Sequence, residues 1–186
     1  MGILNHNSES GYRMSDRIRL MHYDPRWRQE FQQTRSGILH SCLGWVTDVQ
    51  HIGSTAIEGL VSRPVIDMIA GVSDDENAER AIAESSDLIE GLNFQRSQRV
   101  LWSSSVTVLT KPRHAEPTHR VWLTTINSLP WRQCLAIRDH LRSDRDAALR
   151  FEETKVDRWR QGAGDPDQYE SDKSMFFTHL LDQLGF

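Results

Sequence analysis

Residues 51–72 constrain the fold of this 186-residue chain more than any other part of its sequence. A short apolar segment, residues 45–52, leads into the pair Gly53-Ser54. The stretch then ends in a β-type run, residues 65–69, which carries one embedded carboxylate. Apolar and β-branched runs that are bounded by Gly and Ser are typical of strands and turns. The sequence therefore predicts a strand, a tight turn, a short crossover and a second strand.

The turn and the second strand carry residues with the chemistry of a binding site. Gly53 suits a positive φ angle or a close approach of backbone. The turn amides and the hydroxyls of Ser54 and Thr55 would together form an anion-binding concavity at a helix start. Asp67 lies on a strand face that is otherwise apolar. Such a carboxylate is costly to bury unless it is paired, hydrogen-bonded or metal-bound, so Asp67 is either functional or the cap of a neighbouring loop.

This stretch resembles the signature of the GrpB family, whose fold is similar to that of nucleotidyltransferases of the polymerase-β type. The resemblance implies that the Gly53-Ser54 turn holds phosphate, helped by Arg63, and that Asp67 is the acid that holds a divalent metal. The superfamily usually has a second acid two residues further on, where this chain has Ile69. GrpB-like sequences in general also lack that acid. A single Mg²⁺ at Asp67 is therefore the implied cofactor, and the case for two-metal chemistry is weak.

Composition and charge bound the class of protein. The formal net charge is -4, so no overall basic field points to a nucleic-acid partner. No stretch approaches the roughly 20 apolar residues of a membrane span, and no signal peptide is evident. Cys42 and Cys134 are expected to be buried thiols in a reducing compartment. We expect a cytoplasmic protein with a polar flexible leader over residues 1–17 and one domain over residues 18–186, while its oligomeric state stays open.

The order of periodic segments predicts the fold class. Helical periodicity up to residue 44 is followed by the two strands, a helix over residues 73–91 and three strands. The first two of those three strands are predicted near residues 100–102 and 106–109, and helices follow from residue 129. This order belongs to the α+β class. It matches the nucleotidyltransferase-like fold that the resemblance implies, a mixed sheet of about five strands with helices packed on it and a C-terminal helical segment.

The last predicted strand departs from the family pattern. GrpB-like chains often carry His-x-His where related nucleotidyltransferases place a third acid, and the matching positions here are Arg120 and Trp122. His119 is one residue away and is predicted to point to the other face of the strand. Arg120 cannot bind a metal, but it can hold a phosphate or carboxylate through two hydrogen bonds. Trp122 is predicted to fill the core, with stacking on a planar ligand group as the alternative.

Cationic residues further along the chain extend the resemblance. Residues 137–142 are similar to the family's Phe-Arg-Asp-Tyr-Leu-Arg, and they place Arg138 and Arg142 one helical turn apart. These two arginines form either a cationic wall that faces the Gly-Ser turn or a buried Arg–Asp network. Tyr169 and Lys173 match the terminal Tyr-x-x-x-Lys of the family. Lys173 is a candidate to neutralise phosphate charge, with an exposed surface lysine as the alternative.

Three functions are compatible with these residues. The first is an enzyme of group transfer on a nucleotide or phosphorylated small molecule, in which Asp67 binds Mg²⁺ or acts as a base. In that enzyme Arg120, Arg138 and Lys173 offset negative charge. The second is a metal-independent enzyme with Asp67 as general base and arginine anion clamps. The third is a non-catalytic module that binds a nucleotide or phospho-metabolite. We expect the turn, Asp67 and the arginines to open into one cleft.

Overall fold

Helices and strands follow the predicted order. The computed structural model describes residues 18–97, 105–162 and 166–186, with side chains described to residue 162 and again from residue 175. The helices are α1 (Arg26–Ser41), α2 (Ala78–Glu90), α3 (Leu129–Ser143), α4 (Arg145–Gln161) and α5 (Pro166–Gln183). The strands are β1 (Val46–Ile52), β2 (Ile66–Val72), β3 (Gln95–Arg96), β4 (Thr107–Lys111) and β5 (His119–Thr125). The predicted leader and the β-run at residues 100–102 lie outside the described residues.

The five strands form one mixed sheet in the order β1-β2-β5-β4-β3. Strands β2 and β5 run parallel, and the other neighbouring pairs are antiparallel. In this register Asp67 lies opposite Ile52 on one side and Arg120 on the other. The prediction of an α+β fold with a mixed sheet and a C-terminal helical segment is confirmed. In the described ranges, no helix combines the length and apolarity that a membrane crossing requires.

The two faces of the sheet are covered by different helices. Side chains from α1 and α2, among them Trp27, Phe31 and Ile89, pack with the larger core cluster on one face. On the other face, Ile69 and Trp131 belong to a smaller cluster that joins the sheet to α3. Because successive strand residues point to opposite faces, Asp67 and Ile69 share the face that α3 covers.

Polar side chains fix where the helices begin. Asp24, which precedes α1, accepts the backbone N–H of Arg26 at 2.9 Å. Ser128 accepts the N–H of Trp131 at the start of α3, and Asp144 accepts the N–H of Ala147 at the start of α4. Each side chain satisfies a donor that has no partner within its own helix.

Helix α4 holds the segment that connects the Gly-Ser turn to β2. The Glu152 carboxylate accepts the backbone N–H of Val61 at 2.6 Å, and the Lys155 ammonium donates to the carbonyl of Val61 at 2.7 Å. Lys155 is buried, and its ammonium group lies over the ring of Phe151. Contacts between residues more than 90 positions apart therefore fix the backbone that follows the turn.

Both cysteines are buried free thiols, as the sequence predicts. Burial raises the pKa of Cys42 to about 11, and a hydrogen bond with Ser85 opposes part of that rise. Because the thiolate is the reactive form of cysteine, Cys42 is an unreactive core residue.

Gly71 in β2 has no room for a side chain, and we predict that Gly71→Ala destabilises the fold. A Cβ at this position would meet Ile126 Cγ1 and would lie 2.8 Å from Trp131 Cζ3. Overpacking of this kind costs about 1–3 kcal/mol. Denaturant unfolding followed by circular dichroism measures the change.

Gly37→Ala in α1 is the matched control. Its added Cβ would have Leu92 Cδ1 as its nearest neighbour at 4.0 Å. An alanine within a helix is favoured over glycine by roughly 0.5–1 kcal/mol, so the control is expected to raise stability. Equal effects of the two substitutions would contradict the packing described for β2.

Candidate functional site

Asp67, Arg120 and Gly53 come together where β1 ends and β2 and β5 begin. The Arg120 Nε lies 3.6 Å from Asp67 Oδ1, and the two side chains are only 10% and 13% exposed. Gly53 has a φ angle of 71°, and a Cβ there would lie 2.9 Å from Asp67 Oδ2. Only glycine lets the turn lie this close to the carboxylate in that conformation.

The surroundings of Asp67 do not fit a magnesium site. Mg²⁺ takes near-octahedral oxygen ligands, whereas a guanidinium group occupies the neighbouring position on β5. Within the described residues, no group of three or more His, Cys, Asp or Glu side chains has the arrangement of a metal site. Arg120 therefore supplies beside Asp67 the positive charge that a metal would otherwise supply.

One oxygen of Asp67 is left without a hydrogen bond. Oδ1 is buried, and no described residue donates to it, because the Arg120 Nε at 3.6 Å lies beyond ordinary hydrogen-bond length. The carboxylate is thus balanced by charge rather than by a direct bond, and Oδ1 keeps lone pairs that no described group uses.

The Gly-Ser turn continues into a single turn of 3₁₀ helix, Ser54–Ala56. We call it the 3₁₀ turn. Three residues align few peptide dipoles, so this turn attracts an anion less strongly than the start of a long helix does. Thr55 is buried, and its Oγ1 donates to the carbonyl of Val65 at 3.1 Å. Ser54 is half-buried at the start of the turn.

A cavity of about 560 Å³ lies beyond the edge of β1. It is bounded by the first half of α1, the 3₁₀ turn, the end of α3 and the start of α4, and we call it the arginine cavity. Its lining includes Arg28, Arg138, Arg142, Arg145 and one carboxylate, Glu58. In a chain with net charge -4, four guanidinium groups on one concave surface form a local region of positive potential.

The four arginines of the cavity have different partners. Arg138 is held by two hydrogen bonds to its neighbour Asp139, at 2.7 and 3.0 Å, and by one to Gln50 Oε1 at 2.9 Å. Arg142 donates its Nε to the carbonyl of Ala56 at 3.0 Å. Arg138 therefore belongs to an Arg–Asp network that ties α3 to β1, and Arg142 faces the 3₁₀ turn.

Three of these guanidinium groups lack an acidic partner in the described part of the chain. No described carboxylate lies within 4.0 Å of Arg28, Arg142 or Arg145. Arg142 is exposed on one side. Its pKa is lowered, mainly by partial burial and to a smaller extent by the charge of Arg138. Positive charges thus oppose one another across the cavity, and a bound anion would relieve that repulsion.

His51 contributes an uncharged aromatic wall to the arginine cavity. Its ring stacks on Phe31 with the centroids 4.6 Å apart, and its Nε2 lies 3.0 Å from Thr55 Oγ1. Burial lowers its pKa to about 3, helped by the charges of Arg142 and then Arg138. The imidazole is therefore neutral at neutral pH.

The predicted site residues fall into two groups instead of one cleft. Gly53, Asp67 and Arg120 form one group, whereas Thr55, Arg138 and Arg142 line the arginine cavity. Among the described residues, the lining of the cavity includes neither Asp67 nor Arg120. The separation arises because Gly53 packs directly on Asp67, while Gln50 and Asp139 hold Arg138 at the edge of β1.

The remaining predicted site residues are Arg63, Tyr169 and Lys173. Arg63 forms an ion pair with the exposed Glu116 at 3.0 Å. Tyr169 and Lys173 lie in α5, but their side chains are outside the described residues, so their roles remain predictions.

Sequence reasoning did not select Arg28, His51 or Arg145 for the site. His51 was considered only as the first residue of the signature stretch. The arginines come from the first turns of two helices that are far apart in the chain. Both arginines lie near helix starts, and a cationic residue at such a position is the signal that could have identified them.

We predict that His51 makes folding stability depend on pH. The folded pKa of about 3 lies below the ordinary value of 6.5, so the unfolded chain binds a proton that the folded chain excludes. The folding free energy that this difference contributes above about pH 6.5 is therefore lost as the pH falls towards 3. Urea unfolding across this range should show a smaller decline in His51→Phe than in the wild type. His22→Phe, which changes an exposed residue, is the control. An identical decline in all three proteins would contradict the prediction.

Comparison with known proteins identifies the family. The family model described as GrpB protein matches residues 17–183. A UPF0157 protein of Streptomyces coelicolor is 29% identical over 168 residues, which cover 90% of this chain and 84% of that protein. The glutamate-rich protein GrpB of Alkalihalophilus pseudofirmus is 24% identical over 167 residues, covering 89% and 94% of the two chains.

Solved structures agree with this assignment at the level of the fold. The crystal structure of the conserved protein GrpB from Enterococcus faecalis superposes with a TM-score of 0.75 at 19% identity, covering 89% of this chain and 99% of that one. The structure of the GLD-2/RNP-8 complex gives 0.51 at 13% identity, covering 75% and 55%. The fold is similar to that of nucleotidyltransferase-type polymerases. Because the family model spans nearly all of the sequence, this chain belongs to the GrpB family.

Proposed function

We propose that this GrpB-family protein binds an anionic small molecule, a nucleotide or another phosphorylated metabolite, in the arginine cavity and without a divalent metal. The observation that supports this function is the convergence of Arg28, Arg142 and Arg145 on one concave surface, with no described carboxylate within 4.0 Å of any of them. A cavity of about 560 Å³ is within the usual volume of small-molecule sites.

The chemistry of guanidinium favours a phosphate or carboxylate ligand. Each group offers planar donors that match two oxygens of one anion. Arg142 uses only its Nε within the described structure, so its two terminal nitrogens are oriented donors. A concave surface lined by one sign of charge also concentrates the field at its centre. Anion binding therefore follows from the arginines alone and needs no bridging metal.

A group-transfer enzyme is the second candidate, and the state of Asp67 favours it. Its side chain lies beside Arg120 and stays 13% exposed, and its Oδ1 accepts no hydrogen bond from described residues. In this proposal Asp67 acts as general base and removes the proton of an acceptor group, while the neighbouring cations hold an anionic substrate. Mg²⁺ takes no part in this proposed reaction, because the side chains around Asp67 do not fit the ion as ligands.

Calorimetry with ATP and with inorganic pyrophosphate tests the proposed function. We expect binding in EDTA, and Arg142→Gln or Arg145→Gln should weaken it about fivefold to tenfold, as loss of one partly exposed charged contact does. Arg80→Gln is the control, since it removes the same charge from an exposed Arg80–Glu84 pair on α2. Binding that requires Mg²⁺, or that falls equally in all three variants, would contradict the proposal.

Asp67→Asn separates the two candidates in the same assay. A binding protein keeps its affinity in this variant, because Asp67 does not line the cavity. An enzyme whose substrate is held by the arginines and extends to Asp67 keeps most of its affinity but loses turnover. A loss of affinity as large as that of Arg142→Gln would place the ligand beside Asp67 and contradict the cavity as the site.

A further inference from the structure

The hydrogen bonds of Thr55 determine which nitrogen of His51 carries the proton. Thr55 Oγ1 has one hydrogen, and it lies 3.1 Å from the carbonyl of Val65, which can only accept. The hydroxyl therefore donates to Val65 and must accept from His51 Nε2, 3.0 Å away. A neutral imidazole with its proton on Nε2 has a free lone pair on Nδ1.

The Nδ1 atom of His51 has no hydrogen-bond partner among the described residues. The ring orientation is set on one face by Phe31 and at Nε2 by Thr55, and His51 lines the arginine cavity. The lowered pKa of about 3 keeps this ring neutral even beside Arg138 and Arg142. The arginine cavity therefore contains a fixed hydrogen-bond acceptor, His51 Nδ1, beside guanidinium groups that can only donate.

We propose that His51 Nδ1 accepts a hydrogen bond from a hydroxyl group of the bound anion, so that the arginine cavity selects hydroxylated phosphate esters. This inference rests on the proposed function and narrows its ligand class. Guanidinium groups only donate, so they hold the phosphate but cannot recognise a hydroxyl proton. Gln50 Oε1 is already engaged by Arg138. Glu58 is the one charged acceptor in the described lining, and it lies on the exposed rim.

Thr55 is the positioning residue in this arrangement. Without its hydroxyl, nothing described would hold the proton on Nε2, and the ring could place the proton on Nδ1 instead. Thr55→Val removes the acceptor with little change in volume, whereas Thr55→Ser retains it. The pair separates the hydrogen bond from the packing of the side chain.

Two phosphate esters that differ in their hydroxyl groups provide the test. Calorimetry in EDTA compares glycerol 3-phosphate with propyl phosphate on the wild type, His51→Phe, Thr55→Val, Thr55→Ser and Glu58→Ala. We expect the wild type to bind glycerol 3-phosphate about fivefold to tenfold more tightly, as one hydrogen bond provides. His51→Phe should bind both esters equally, and Thr55→Val should have a smaller preference than Thr55→Ser. Glu58→Ala, which removes the carboxylate acceptor, should keep the preference.

Nitrogen NMR of the wild-type protein supplies a readout that does not depend on a variant folding. The ¹⁵N shifts should identify Nε2 as protonated and Nδ1 as unprotonated, with Nδ1 shifting when glycerol 3-phosphate is added and not when propyl phosphate is added. A protonated Nδ1 would overturn the inference. Equal binding of both esters by the wild type would also overturn it while leaving the proposed function intact. If neither ester binds although ATP does, this inference fails and the proposed function stands. If ATP does not bind either, both fail.

Discussion

The hydroxyl of Thr55 joins three parts of the chain that must meet for either candidate site to exist. It bonds to the first residue of the signature stretch, His51, and to the carbonyl of Val65 just before β2. These two bonds hold together the two ends of the segment that connects the antiparallel strands β1 and β2. As a result Gly53 is pressed against Asp67 on one side, while the remainder of the 3₁₀ turn faces the arginines on the other. Helix α4 holds the rest of this segment through Val61, so the turn has little freedom to move.

Arginine side chains dominate both candidate sites in the described part of the protein. Beside Asp67, the guanidinium of Arg120 lies 3.6 Å from the carboxylate and balances its charge. At the edge of β1, four more arginines gather around a cavity with a single described carboxylate in its lining. Fixed cations of this kind can bind and orient an anion without the coordination geometry that Mg²⁺ requires. This charge distribution is the basis of the metal-free anion binding that we propose.

Much of the fold could be predicted from the sequence because local patterns specify it. The Gly-Ser pair, the β-type run around Asp67 and the helical periodicities predict the element order, and the family resemblance implies the mixed sheet. The register that places Asp67 beside Arg120 agrees with the positions that the family pattern matched. The edge strand beside β4, Gln95–Arg96, has only two residues and is too short to leave a periodic signal.

The arginine cavity could not be predicted in the same way, because it depends on contacts between distant residues. Arg28 and Arg145 lie in separate helices, and their convergence depends on how α1 and α4 pack around the 3₁₀ turn. His51 joins the cavity because its ring turns towards α1 and stacks on Phe31. The division of the predicted residues into two groups likewise follows from Gln50, whose amide oxygen holds Arg138 at the edge of the sheet.

Diffraction from crystals soaked in sodium tungstate with EDTA locates the anion site directly, since the heavy oxyanion is identified by its anomalous signal. Tungstate bound between Arg28, Arg142 and Arg145 is the expected result. Tungstate at the Gly53-Ser54 turn beside Asp67, with none at these arginines, would contradict the arginine cavity as the ligand site.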